Sequence, residues 1–246
     1  MFSQKEVSFY KMQASGNDFV IMDKILLPED EIKRICDRSY GIGCDQLLMI
    51  DDSSPIKVEI FNQDSSRAGN CGNGMRALGL LNYIISGKKN SFFQITDRII
   101  QTKIVETFGE RQALVEVSLG TFTKKLLSKG ITECFLGNKH LVLDREINPD
   151  IDLKELSQNL DANVTSFIYK NGLIEAKVYE RGAGETIACG SAAAALHVAL
   201  NHAEETQIKF EKSKEILRAG MRNQNLYIIG KAELVCQGTF YLKNDY

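Results

Sequence analysis

The sequence lacks the residues of several common functional sites. Among its 246 residues there is no tryptophan, and there are three histidines and six cysteines, none of them in a C-x-x-C pair. The few histidines and the lack of a C-x-x-C pair argue against a zinc site or a thioredoxin-like motif. The 30 basic and 32 acidic residues give a net charge of -2, without the basic excess that nucleic-acid binding needs. No nucleotide-binding glycine loop follows a predicted strand, so no nucleotide, pyridoxal phosphate or other cofactor is expected.

Long apolar runs are also missing. No stretch reaches the roughly 18 apolar residues that cross a membrane, and the opening segment MFSQKEVSFYKM lacks the apolar core of a signal peptide. These features predict a cytoplasmic protein with reduced thiols and no membrane partner. The composition, 43% hydrophobic and 25% charged, is that of an ordinary globular protein with one large or two small domains.

What the chain does have is a thiol where a glycine-rich turn meets an apolar helix. The run CGNG at 71–74 precedes an apolar stretch over 75–85 that Gly87 is expected to end. The N–H groups and the positive dipole end of a helix N-terminus favour an anion. They also lower a cysteine pKa from about 8.5 towards neutrality. A single cysteine of this kind could equally be a buried structural thiol.

The same pattern occurs a second time. Cys189 lies nine residues after Glu180, as Cys71 lies nine after Asn62, and it opens an alanine-rich helix predicted over 190–201. A second match aligns SGNDFVIMD at 15–23 with LGNKHLVLD at 136–144. The two matches have nearly the same offset, 118 and 121 residues. They indicate two homologous halves that divide near residue 110.

Hydrophobic periodicity and turn residues predict the elements that connect these motifs. Helices are expected at 28–38, 75–85, 152–160 with Asp152 as cap, and 190–201. Strands are expected at 7–12, 19–22, 47–50, 56–61, 92–96, 99–108, 113–117, 141–143, 166–169, 173–179, 207–210, 215–219, 226–229 and 238–242. Asn171-Gly172 is predicted to form a hairpin turn, and Gly220 and Gly230 are predicted to separate strands.

Two thiols on opposite sides of one small molecule suit the inversion of a carbon centre. A thiolate removes the α-proton of an amino acid, and the other thiol delivers a proton to the opposite face. Backbone N–H groups at two helix N-termini would stabilise the charge that develops on the carboxylate. The candidate donors are the amides of Gly72, Asn73, Gly190 and Ser191. If the halves face each other, Cys71 and Cys189 flank one substrate.

Five blocks of the sequence resemble the signature blocks of the diaminopimelate epimerase family. They are KMQASGNDFVIMD, GIGCDQLL, FNQDSSRAGNCGNGMRA, GNKHLVLD and YERGAGETIACGS. The resemblance implies an α+β fold of two pseudo-symmetric halves. Each half would be a barrel-like, mostly antiparallel sheet around a central helix, with the site in the cleft between them. A last strand at 238–246 would return to the first half, 1–110, and leave 111–237 as the second.

The resemblance also implies a function and a set of site residues. The function is a cofactor-independent isomerase that interconverts LL- and meso-2,6-diaminoheptanedioate for lysine and peptidoglycan synthesis. Cys71 and Cys189 match the family's catalytic pair. Positions that match substrate-binding residues are Asn17, Gln46, Asn62, Gly72, Asn73, Asn138, Asn163, Glu180, Arg181, Gly190 and Ser191, with His140 as a supporting residue. Arg181 would bind the distal carboxylate, because its planar fork binds a carboxylate bidentately.

Three residues depart from the family pattern. Ser65 and Ala192 each stand where glycine is usual, so the loop at Ser65 must do without glycine's freedom at positive φ. Lys139 replaces a proline and could either shift substrate preference or point into solvent. Two functional alternatives stay open: an epimerase of another amino acid and a homologue that binds without turnover. A redox hypothesis also follows, in which Cys71 and Cys189 close into a disulfide when the substrate is absent. The amino-acid substrate is the expected partner, and a homodimer is left open.

Overall fold

The computed structural model describes residues 6–69, 71–170 and 173–243. By their internal contacts they form two compact units. One contains the chain up to Val115 together with the segment from Lys231 onward, and the other is Glu116–Gly230. Both division points lie inside strands. None of the helices in these described ranges has the length and apolar character that crossing a bilayer requires.

Four helices separate runs of strands along the described part of the chain. The helices are α1 (Glu29–Cys36), α2 (Gly72–Ser86), α3 (Leu153–Leu160) and α4 (Gly190–Leu200). The strands up to the first division are β1 (Glu6–Ala14), β2 (Asn17–Asp23), β3 (Gln46–Ile50), β4 (Ile56–Asn62), β5 (Asn90–Ile95), β6 (Arg98–Thr107) and β7 (Gln112–Gly120). The others are β8 (Thr123–Ser128), β9 (Ile131–Phe135), β10 (Lys139–Asp144), β11 (Asn163–Lys170), β12 (Leu173–Glu180), β13 (Gly184–Glu185), β14 (Thr206–Phe210), β15 (Ile216–Arg222) and β16 (Asn225–Tyr241).

The first unit is a closed, mostly antiparallel sheet around one apolar helix. Its strands follow the order β1-β2-β3-β4-β5-β6-β7-β16, and β16 pairs back with β1. Helix α2 packs against β1, β2, β5 and β6. It is apolar over Met75–Leu81 apart from Arg76, so that stretch is buried on every side. Gly87 ends the helix at φ 72, a left-handed conformation that glycine adopts without steric cost.

The second unit repeats the topology of the first. In the first unit β2 and β3 are parallel, β3 and β4 antiparallel, and β4 and β5 parallel. The corresponding pairs β10–β11, β11–β12 and β12–β14 follow the same sequence of directions. Helix α4 packs against β9, β10, β11 and β15. The predicted α+β class, with two like units that each hold a sheet around one helix, is confirmed.

A short amphipathic helix covers one face of the parallel strand pair in each unit. In the first unit the buried side of α1 packs Ile32 and Ile35 into a cluster with residues of β2 and β3. Full burial of such a side chain stabilises the fold by about 1.5–3 kcal/mol relative to exposure. In the second unit α3 packs Leu153 and Leu156 against buried residues of β10 and β11. The predicted cap of α3 is confirmed, because Asp152 accepts from the N–H groups of Lys154 and Glu155.

The sequence-based strand prediction was wrong at two glycines and missed three strands, β8, β9 and β13. Gly230 lies inside the 17-residue strand β16, and Gly220 lies inside β15. A Cβ at Gly220 would lie 2.3 Å from Tyr227 Oη. The role of this glycine is therefore to leave space for the tyrosine ring of the neighbouring strand, and it does not form a turn. Strand β8 escaped prediction because all six of its residues are exposed. The predicted turn Asn171-Gly172 lies outside the described residues, although β11 and β12 pair up to Lys170 and Leu173.

Ser65 occupies a backbone conformation that suits glycine. Its φ is 70, in the loop between β4 and α2, and the left-handed region costs an L-residue about 1–2 kcal/mol. We expect Ser65→Gly to raise the free energy of unfolding by about 0.5–1 kcal/mol, because glycine's extra freedom in the unfolded chain offsets part of the relief. Urea unfolding measures the change. Ser66→Gly is the control. The Ser66 hydroxyl bonds to Asp64 and Asn62, so that variant should be destabilised, and equal losses in both variants would contradict the prediction.

Candidate active site

Cys71 forms the N-cap of α2. Its backbone is extended, at φ -154 and ψ 98, and the N–H of Gly74 donates to its Sγ over 3.3 Å. Position 74 has little room for a side chain, because a Cβ would lie 3.1 Å from Leu48 Cδ2 and 3.4 Å from the sulfur. The thiol is half-buried. The amides of Gly72 and Asn73 lie in the first turn, where an α-helix offers no intrahelical acceptor and favours a bound anion.

Two asparagines meet beside this thiol. The Cys71 Sγ is 3.9 Å from Asn17 Oδ1, and Asn73 Nδ2 donates to the same oxygen over 3.5 Å. Arg76 is fully buried one turn along α2 and donates to Asn73 Oδ1 over 3.0 Å and to Ser15 Oγ over 2.9 Å. The arginine therefore fixes the orientation of the Asn73 amide at the start of the helix.

A charged network holds Asn17 from the other side. Asn17 Nδ2 donates to Asp45 Oδ2 over 2.7 Å, and Arg38 bridges Asp45 and Asp18 at 2.8 and 2.7 Å. Lys11 donates to the other oxygen of Asp18. Burial opposes ionisation of Asp18, but the hydrogen bonds from Arg38 and Lys11 outweigh it and hold the pKa of that carboxyl well below its usual range. Because Asp45 takes the Asn17 NH₂ group, the Asn17 carbonyl oxygen faces the thiol.

Gln46 and Asn62 lie opposite each other on β3 and β4. Gln46 Nε2 donates to Asn62 Oδ1 over 2.9 Å, and Asn62 Nδ2 donates to Ser66 Oγ over 3.0 Å. The other amide atom, Gln46 Oε1, is buried and has no hydrogen-bond partner among the described residues. A buried acceptor without a partner is costly, so the hydrogen bond to Asn62 holds the Gln46 amide in place at the expense of this oxygen.

His140 organises the corresponding corner of the second unit. Its Nε2 is 3.1 Å from Asn138 Oδ1 and 3.5 Å from Asn163 Nδ2. The Asn163 Oδ1 in turn accepts the backbone N–H of Arg181 over 2.9 Å. Burial lowers the pKa of His140 to about 4, so the ring is neutral at pH 7. A neutral ring that carries its proton on Nε2 donates to Asn138 and fixes that amide.

Cys189 forms the N-cap of α4, with an extended backbone at φ -128 and ψ 121. Its Sγ lies 3.2 Å from Ser191 Oγ, and the residue is 6% exposed. Burial and the nearby negative charge of Glu180 raise the pKa of this thiol well above its usual range. The Glu180 carboxylate itself accepts from Thr186 Oγ1 over 2.5 Å. Cys189 is therefore a protonated thiol at neutral pH, whereas Cys71 is half-buried and accepts a backbone hydrogen bond.

Arg181 and Lys139 both contact the end of α3. Arg181 Nη1 donates to Asp161 Oδ2 over 2.9 Å. Lys139 Nζ donates to the carbonyl of Leu160 over 2.9 Å and lies 3.7 Å from a Glu133 carboxylate oxygen. The lysine that departs from the family pattern thus binds the last carbonyl of α3, where a cation is favoured by the helix dipole.

The contacts connect the expected site residues within each unit. In the first unit one group contains Asn17, Cys71 and Asn73, and a second contains Gln46 and Asn62. In the second unit one group contains Asn138, His140, Asn163 and Arg181, and another contains Glu180, Cys189 and Ser191. Gly72 and Gly190 directly follow the two cysteines as the first residues of α2 and α4. Sequence reasoning missed four residues that hold them: Asp45, Arg76, Asp161 and Thr186. A lone arginine in an apolar helix could have indicated Arg76. The other three depend on tertiary contacts and leave no signal in the sequence.

These features define a class, a two-unit α+β protein with one thiol at a helix N-cap in each unit. A predicted epimerase of Pseudomonas aeruginosa has the same fold, with a TM-score of 0.74 at 13% identity, covering 96% of this chain and all of that chain.

The family model described as diaminopimelate epimerase matches residues 9–111. The diaminopimelate epimerase of Pelagibacter ubique is 34% identical over 233 residues, 80% of this chain and 84% of the relative. That of Rickettsia akari is 31% identical over 271 residues, 96% and 98% of the two chains. The chain belongs to the diaminopimelate epimerase family and is an isomerase.

Proposed function

We propose that the chain interconverts LL- and meso-2,6-diaminoheptanedioate, in the cytoplasm, as a step in lysine and peptidoglycan synthesis. The observation that carries the proposal is the repeated placement of a cysteine at the N-cap of an apolar helix, beside asparagine amides in one unit and a glutamate in the other. The names of relatives at 34% and 31% identity support the choice of substrate.

The mechanism requires both sulfurs to reach opposite faces of one α-carbon. Cys189 is the proton donor of the resting protein, because burial and Glu180 keep it a thiol. Cys71 takes the role of base in this direction, because the Gly74 N–H and the positive end of α2 stabilise a negative sulfur against the Asn17 carbonyl oxygen 3.9 Å away. Removal of the α-proton by Cys71 and delivery of the Cys189 proton to the other face invert the centre. The reverse reaction starts from the opposite pair of protonation states.

The remaining groups bind the substrate and stabilise the charge that develops. The first-turn amides of Gly72, Asn73, Gly190 and Ser191 suit the reacting carboxylate, on which negative charge accumulates in the transition state. Gln46 and Asn62, which are hydrogen-bonded to each other on neighbouring strands, are assigned to polar groups of the substrate. Each proton transfer is made by a side chain of the protein, so the proposed reaction uses no cofactor.

Solvent exchange tests the proposal directly. Purified, reduced protein incubated in D₂O with the LL substrate should place one deuterium at a single α-carbon and convert LL into meso substrate. Mass spectrometry follows the label, and chiral chromatography follows the stereochemistry. If the LL substrate neither gains deuterium nor epimerises, the proposed function is wrong.

The second candidate is an epimerase of another amino acid with the same thiol chemistry. It differs in the role of Arg181, whose guanidinium would stay paired with Asp161 and bind no distal carboxylate. Comparing the dicarboxylic substrate with L-lysine, which has no distal carboxylate, separates the two candidates. A charge-assisted hydrogen bond to Arg181 should favour the dicarboxylate by about 10–100-fold in kcat/KM. Equal turnover of both compounds would favour the second candidate.

A further inference from the structure

We propose that Asp161 is a specificity-determining residue that, together with Arg181, recognises the whole second amino-acid head of the substrate. Arg181 binds the distal carboxylate, and Asp161 binds the distal ammonium group. The inference rests on the proposed function, because it concerns the far end of the same diamino dicarboxylate. Asp161 is not among the site residues that the family resemblance predicts.

The backbone holds Asp161 close to residues already placed in the candidate site. Asp161 is the C-cap of α3 in the left-handed conformation, at φ 48 and ψ 53, and its N–H donates to the carbonyl of Ser157. Two residues later Asn163 begins β11, and its side chain accepts the backbone N–H of Arg181 over 2.9 Å. The Arg181 side chain reaches back to Asp161, with Nη1 and Oδ2 2.9 Å apart.

Lys139 connects the end of α3, next to Asp161, to a second part of the candidate site. Its ammonium group donates to the Leu160 carbonyl, next to Asp161, over 2.9 Å. Lys139 directly follows Asn138 and starts β10, whose next residue is His140. Asp161 is therefore held between two segments that carry proposed substrate-binding residues, instead of lying on an isolated loop.

The charges of this pair complement an amino-acid head. Such a head carries a carboxylate and an ammonium group on one carbon, so a cation and an anion 2.9 Å apart can each bind the opposite charge. The pair opens easily, because the two side chains are 56% and 79% exposed and exposed ion pairs contribute little to stability. Among the described residues, Nη1 is the one guanidinium nitrogen of Arg181 with a hydrogen-bond partner. The Nη2 edge is therefore available for a carboxylate.

The test removes the charge of Asp161 and compares two ligands. Asp161→Asn keeps the shape, and asparagine tolerates the left-handed conformation, so the fold is retained. LL-2,6-diaminoheptanedioate carries the distal ammonium group, and L-2-aminoheptanedioate lacks it. Calorimetry should show the first ligand bound about tenfold more weakly by the variant, and the second bound as by the unaltered protein. Glu155→Gln, which removes an exposed charge elsewhere on α3, is the matched control and should change neither affinity.

Measurements of binding and of turnover distinguish failure of the role proposed for Asp161 from failure of the proposed function. Equal weakening of both ligands, or no change in either, overturns the role of Asp161, as does an unaltered protein that binds neither ligand. If the unaltered protein binds both ligands but exchanges no deuterium, the proposed function fails, while the affinity ratio still decides the role of Asp161. In an active enzyme the KM for the diamino substrate should rise with the dissociation constant, at unchanged kcat.

Discussion

Replacing either N-cap cysteine by alanine is expected to lower epimerisation by about 10²–10⁴-fold, the usual contribution of one general acid or base. The physical reason is that inversion needs a proton removed on one face and supplied on the other. Cys71→Ala removes the base of the resting state, and Cys189→Ala removes the protonated partner. Initial rates from the LL and the meso substrate measure the loss.

Deuterium exchange distinguishes the two-thiol mechanism from a one-thiol mechanism. Each single variant keeps one thiol, so it should still exchange the α-proton of one stereoisomer with solvent much faster than it inverts either. The double variant should lose exchange as well. Cys236→Ala removes an exposed thiol from β16 and is the control, expected to keep full activity. Full epimerisation in either Cys71→Ala or Cys189→Ala would eliminate the mechanism.

Acidification between pH 7 and 4.5 is expected to cost the folded state about 2.5 kcal/mol through His140 alone. The unfolded imidazole takes up a proton near pH 6.5, but burial lowers the pKa of the folded one to about 4. The unfolded state therefore binds more protons over this range. The stability that His140 contributes is complete above about pH 6.5 and is lost as the pH falls towards 4. Urea unfolding at a series of pH values measures the slope.

Two further variants isolate this slope. His140→Gln should reduce it, leaving the share of His197, whose pKa burial also lowers. Near pH 4.5 the share of carboxyls such as Glu31 and Glu59 also remains, because their pKa values are lowered by hydrogen bonds from Arg34 and Lys24. Thr165→Val changes a buried polar group of β11 without removing a titratable one, so it should shift the curve and keep its slope. An NMR titration of the His140 ring gives an independent check in the unaltered chain. A midpoint near 6.5 there would contradict the burial argument.

The repeat and the helix caps could be predicted from the sequence because they depend on local chemistry. Glycine and asparagine mark the turns, Asp152 caps α3, and the two Cys-Gly pairs open apolar helices. The left-handed conformation at Ser65 was also predictable, because the family's glycine there indicated a positive φ. In each case the residue type restricts the backbone within a few positions of itself.

The parts that sequence reasoning missed depend on contacts between distant segments. Gly220 suggested a strand end, but the space it leaves is filled by Tyr227, which pairs with it from β16. Asp161 and Arg181 are 20 residues apart and meet only once α3 and β12 are in place. The low pKa of His140 likewise follows from complete burial, which a strand-like pattern around one histidine does not reveal.

The return of β16 to β1 has a consequence for the order in which the chain can fold as it is synthesised. Register pairs join residues 6–13 to residues 233–241, so one seam of the first sheet cannot form until nearly the whole polypeptide has left the ribosome. The second unit is one uninterrupted segment, Glu116–Gly230, and can complete its own pairing earlier. Until then the outer edge of β1 exposes unpaired backbone groups, the kind of edge that recruits strands from other chains. Strand β1 is thus synthesised first but is among the last strands to be fully paired. The nascent chain is most prone to aggregate before β16 pairs with it.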